Sequence, residues 1–141
     1  MNKQEANKLI IGSLVVADGK CEPICAITSR KIGVAKGSCG KRDFYRFDQV
    51  SGIPLRCEIL DGLFAVRAFP HKTAYVLGVA AAYLMPEQDG WFGVYWQVVG
   101  KLKLITRIKY VHELQIFLKG VGLEYDAYNL EERLKLSQSD L

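Results

Sequence analysis

Leu55-Arg56-Cys57-Glu58-Ile59-Leu60-Asp61-Gly62-Leu63-Phe64-Ala65-Val66-Arg67-Ala68-Phe69 is two apolar runs about an Asp-Gly dipeptide. Both central residues of a type I′ turn need φ > 0, and Asp-Gly between alternating runs is the strongest short-range hairpin signal. Upstream, Phe44–Val50 is a further strand-like run, set off by Ser51-Gly52. Together these runs predict a three-stranded antiparallel meander over residues 43–69, ending at Pro70, with Leu55, Cys57, Ile59, Phe64 and Val66 turned inward. A two-residue loop pairs Leu60 with Leu63 and brings Arg56 opposite Arg67. Like charges facing each other cost stability, unless Glu58 lies diagonally between them or an anion binds there.

Outward from this stretch the period changes. Residues 72–85 are rich in alanine and stop before Pro86, which predicts a buried helix. Trp91–Val98 and Lys101–Lys109 read as a second hairpin around Val99-Gly100. Val111, Leu114, Phe117 and Leu118 share one face of a helix over 110–119 with Gly120 as its cap, and Asn129 with Glu132 matches a capping box for a last helix to about Leu136. Residues 137–141 read as a frayed tail. Toward the N-terminus, Leu9, Ile10, Leu14 and Ala17 share a face of a helix over 3–17 that Asp18-Gly19 would end, though Val15-Val16 keeps a strand open. Residues 24–29 and 32–36 are short strand candidates, and Gly33–Gly40 reads as a loop. The expected architecture is one α+β domain over residues 1–141, its antiparallel sheet a meander plus a hairpin with three or four helices packed on it.

Half of the 141 residues are apolar and 24% are charged, an ordinary globular mix for one domain. No segment reaches about 18 uninterrupted apolar residues, so no membrane span is expected. The polar start Met1–Glu5 leads into the apolar run Leu9–Val16, and Asp18-Gly19-Lys20 does not supply a small-residue cleavage site. The expected location is therefore cytoplasmic. Cys21, Cys25, Cys39 and Cys57 lack zinc-knuckle spacing and have no nearby histidine, which favours free thiols over a metal site.

Charge is uneven. Residues 1–72 hold twelve Lys/Arg against seven Asp/Glu, and residues 73–141 hold seven against eight. The densest basic stretch is Arg30, Lys31, Lys36, Lys41, Arg42 and Arg46, opposed only by Asp43, and such a field can steer an anionic partner. The second hairpin is a further candidate. A loop of Val99-Gly100 puts Phe92, Trp96 and Val98 on one face with Lys101, Lys103 and Arg107, and rings beside cations suit stacking on bases with contacts to phosphates. In another register the same strands carry a plain solvated lysine face. The catalytic inventory is thin: His71 and His112 are the only histidines and neither has a nucleophile at motif spacing. Gly33-x3-Gly37-x2-Gly40 before Lys41-Arg42 is glycine-rich and basic, but no helix follows to complete a phosphate site.

Ile11-Gly12-Ser13-Leu14-Val15-Val16-Ala17-Asp18-Gly19 resembles the signature of LAGLIDADG homing endonucleases, with Leu14, Ala17, Asp18 and Gly19 identical to it. The resemblance implies a small-residue helix packed on its two-fold mate, with Asp18 as ligand to a catalytic Mg²⁺. It covers nine residues, Pro23 interrupts the strand that should follow, and no lysine stands out for the catalytic role.

Without a convincing catalytic set, the expected function is a non-enzymatic, cofactor-free binding protein that docks on a protein or nucleic acid, of the kind found as accessory or regulatory proteins of mobile elements. A Mg²⁺-dependent DNA endonuclease is the alternative, with Asp18 as its catalytic residue. A homodimer is also expected, because Tyr75, Tyr83, Trp91 and Trp96 add to the apolar surplus and a small-sided helix over 72–85 suits close symmetric contact.

Overall fold

In the computed structural model of this chain the described residues are all but 7, 37–40, 71, 79–81 and 140–141; the side chains at 3, 36, 41 and 136–139 are likewise set aside. Two five-stranded antiparallel sheets follow one another along the chain. The first holds β1 (Leu14–Ala17), β2 (Lys20–Ile27), β3 (Lys31–Lys36), β4 (Lys41–Arg46) and β5 (Val50–Gly52), in the order β4-β3-β2-β1-β5. The second holds β6 (Val66–Phe69), β7 (Lys72–Leu77), β8 (Ala82–Pro86), β9 (Phe92–Val98) and β10 (Lys101–Ile108), each beside its neighbour in sequence. One helical turn, α1 (Lys3–Ala6), precedes the first sheet, and another, α2 (Cys57–Leu60), links the two sheets. The helices α3 (Val111–Gly120) and α4 (Glu124–Ser139) close the chain. The α+β class, the antiparallel sheet and the hairpin about Val99-Gly100 are as the sequence predicts.

The predicted meander over 43–69 is not formed. Residues 57–60 are helical, Asp61 caps that turn, and Gly62 follows at φ +82°. β6 pairs with β7, and Arg67 faces Ala74 rather than Arg56. Val66 is 58% exposed, not core. The hairpin expected at Asp61-Gly62 is instead found at Asp18-Gly19, whose φ angles of +54° and +73° join β1 to β2. The helix expected over 3–17 is cut to α1, which ends at Ala6; Gly12 takes φ +94°, and the β-branched pair Val15-Val16 enters β1.

The helix expected over 72–85 is also absent, since β7 and β8 occupy most of that stretch. There Tyr75 and Leu77 alternate with Ala74 and Val76, and Gly78 at φ +66° ends the strand. β-branched and aromatic side chains with period-2 burial outweigh alanine content. The strand candidate over 32–36 lies within β3, which overrides the loop reading of Gly33–Lys36, while 37–40 lies outside the described residues. Asn129 is an interior residue of α4, not its cap, and the helix continues to Ser139 through most of the tail expected to fray.

Three apolar clusters organise the molecule. The largest packs Tyr75, Leu77, Leu84 and Val94 of the second sheet against Leu114, Leu118, Ala127, Leu130 and Leu134 of α3 and α4, and draws in Leu14 of β1. Another seats Ala6 and Leu9 on Val15, Ile24, Ile32, Val34 and Val50 of the first sheet. The third, on the far face of the second sheet, is built from strands alone: Ala74, Tyr83 and Met85, with Phe69, Val76, Tyr95 and Leu102 around them. The start of the first sheet is tied to α3 and α4 through Gln115, which is buried. Its Oε1 accepts from Leu14 N at 2.8 Å, and its Nε2 donates to Gly12 O at 3.2 Å and Glu131 Oε1 at 2.8 Å. A buried amide with its donors and acceptor satisfied fixes orientation as well as contact.

Candidate nucleic-acid interface

β3 and β4 pair Lys31 with Arg46, Gly33 with Phe44, and Ala35 with Arg42. Side chains alternate across a strand, so Ile32, Val34 and Tyr45 turn into the cluster beneath α1 while Lys31, Arg42, Phe44 and Arg46 stand together on the other face. Phe44 is 48% exposed there. Its ring lies over its cross-strand glycine: a Cβ at Gly33 would meet Phe44 Cε1 at 2.9 Å and Ala26 Cβ at 3.2 Å. The absence of that carbon lets the ring lie down on the sheet.

Three exposed cations surround this ring. Arg42 and Arg46 lie two residues to either side on β4, and Lys31 is directly across from Arg46. Lys31 and Arg46 repel, and Asp48, 3.3 Å from Arg46, is the single carboxylate in an ion pair with this group among the described residues. Asp43 is on the opposite face, in register with Val34. Arg30 is exposed in the tight turn that Thr28 closes to Lys31. Lys36 and Lys41 are in register at the far end of the hairpin, and their side chains lie outside the described residues.

The other basic candidates are dispersed. Arg56 is exposed ahead of α2. Arg67 donates from Nη1 to Tyr83 Oη at 2.6 Å and lies over the Phe69 and Tyr83 rings at 5.0 and 5.6 Å. On the second hairpin Lys101 and Lys103 do face Val98 and Trp96, as expected. A bulge between Leu104 and Thr106 sends Arg107 to the opposite face, where it pairs with Glu87 at 3.0 Å. Moreover this is the helix-covered face: Phe92 is buried, and Trp96 packs on the main core with Phe117 at 6.2 Å. Trp96 is thus a packing residue rather than an open platform. Sequence reasoning found the basic stretch but missed its ring; the available signal was alternation in Lys31–Lys36 and Lys41–Arg46, which puts Phe44 opposite Gly33.

Asp18 is exposed in the two-residue β1–β2 turn, so the helix implied by the endonuclease resemblance is here a strand and a turn. Among the described residues no three His, Cys, Asp or Glu side chains come together to hold a metal. Cys21, Cys25 and Cys57 are half-buried, and Cys39 lies outside the described residues, as does His71. No described helix is long and apolar enough to cross a membrane. Tyr75 and Tyr83 are buried inside the chain, and the small-sided helix expected to make a dimer contact is two strands.

No protein-family model, curated protein or solved structure matches this chain.

Proposed function

We propose that this chain is a non-enzymatic protein that binds single-stranded nucleic acid on the outer face of β3 and β4. The observation that carries the reading is Phe44, held open on a sheet face among Lys31, Arg42 and Arg46. An aromatic ring accepts a base of any identity by stacking, and cations spaced along the same strands reach the phosphates on either side. A phosphate between Lys31 and Arg46 also relieves their mutual repulsion. This chemistry needs no metal and breaks no bond.

Titrating salt against binding of a labelled oligothymidylate tests it. Affinity falls with a log–log slope of about −0.7 per phosphate contacted on a single strand. Replacing Lys31 and Arg42 by Glu flattens the slope, because fewer counterions are released on binding. Absence of binding at low salt overturns the proposal and leaves a protein partner as the remaining reading of this face.

A further inference from the structure

A concave site lies where the two sheets meet, away from the exposed face that carries Phe44. It is a pocket of about 690 Å³ between the first residues of the chain, the end of β5 and the start of α3. This is the size range in which small-molecule sites occur. Its wall is shaped by close ring packing. Tyr110 and His112 stack with centroids 5.5 Å apart and planes 9° from parallel. Gly52 makes room for them, since a Cβ there would come within 2.8 Å of Tyr110 and 3.0 Å of His112. Trp91, 40% exposed, forms part of the lining, and Lys109 Nζ lies 5.3 Å from the centre of its ring.

The polar groups are unevenly committed. Glu113 Oε1 already accepts from the backbone N–H of Lys109 and Tyr110, at 3.0 and 3.1 Å. Glu5 Oε2 accepts from Asn2 N at 3.0 Å. Lys8 and Lys109 both line the pocket, and neither is in an ion pair among the described residues. His112 is 4% exposed, and its Nδ1 has no hydrogen-bond partner among them. A buried polar atom without a partner costs free energy, and native structures rarely leave one so without a reason. Burial also lowers the His112 pKa from its ordinary value, which keeps the ring neutral and able to accept or donate.

We propose that this pocket binds a small ring-bearing anion, its ring against Trp91 and Tyr110, its phosphate or carboxylate on Lys8 and Lys109, and a polar group toward His112. The site is separate from the β3–β4 face and does not depend on it.

Calorimetric titration of the intact chain with adenosine monophosphate and, separately, with 4-hydroxybenzoate tests the proposal and distinguishes a phosphate ester from a carboxylate. The expected result is saturable binding of at least one probe. Lys109→Gln weakens it tenfold or more without moving the melting temperature, and Gly52→Ala weakens it by displacing the two stacked rings. Phe44→Ala leaves it unchanged while removing oligonucleotide binding, so the two sites fail independently. The proposal is overturned if neither probe saturates, if Lys109→Gln leaves the affinity intact, or if Phe44→Ala abolishes the binding.

Discussion

The two sheets share one plan, five antiparallel strands apiece, and differ in how each treats a strand face that carries an aromatic ring beside cations. On the second sheet that face seals itself. Tyr83 is fully buried at its centre, with Arg67 laid across its ring, Phe69 edge-on at 5.3 Å, and Gln97 accepting its hydroxyl proton at 3.1 Å. On the β3–β4 part of the first sheet the corresponding ring, Phe44, is left half in water beside cations that repel one another. An aromatic among basic residues is thus not in itself a recognition surface. On one sheet the cation is spent closing the ring in, and on the other the cations stand apart with the ring between them.

Truncation separates these cases most sharply. Tyr83→Ala removes a buried ring and is expected to lower unfolding stability by about 3–5 kcal/mol in a urea titration. A loss under about 1 kcal/mol would show that the far face of the second sheet is open after all. Phe44→Ala, by contrast, should leave stability within about 0.5 kcal/mol and weaken oligothymidylate binding by about 1–3 kcal/mol per stacked base. A large drop in melting temperature in this variant would make Phe44 a packing residue and erase the contrast.

Acid should act through the junction between the sheets. Burial lowers the pKa of His112 below the ordinary 6.5; Glu113 and Glu5 oppose this, and Lys8 adds to it. The unfolded chain therefore takes up this proton at higher pH than the folded one. Stability from His112 is present above pH 6.5 and is lost as pH falls below it. Melting temperatures measured from neutral pH downward should decline less in His112→Gln, and parallel curves for the two proteins would refute the assignment. The smallest effect concerns Cys21, on the helix-covered side of β2. Burial and then Glu22 push its thiol up to about 11, against a lowering by Lys135. Since the thiolate is the nucleophile, iodoacetamide at mildly alkaline pH should label Cys21 slowly in the native chain and faster in urea. Equal rates would mean that this side of the sheet is not closed.

The fold class, the second hairpin and the helix over 110–119 were legible because periodicity there runs long enough to choose between helix and strand. The failures share a cause. Asp18-Gly19 and Asp61-Gly62 offer the same dipeptide, and the chain makes a hairpin of the first and a helix end of the second. Both uses need φ > 0, so the local signal cannot distinguish them; only the partner strand can. In 72–85, alanine content spoke for helix, and the pairing of Tyr75 with Leu84 overruled it. Arg42 and Lys31 could be named from the sequence as basic, but their grouping around Phe44 depends on a register that charge counting does not contain.

Gln115 has a consequence in time. Strand pairing in this chain is mostly between neighbours in sequence, so most of each sheet closes short loops. The bond from Leu14 N to Gln115 Oε1 spans 101 residues. During synthesis from the N-terminus all five strands of the first sheet are complete while α3 is still unmade, and until it arrives the amide of Leu14 has only water to bond. The bond between β1 and α3 can therefore close only late in synthesis. A chain halted before residue 115 lacks this bond, whichever strands it has already paired.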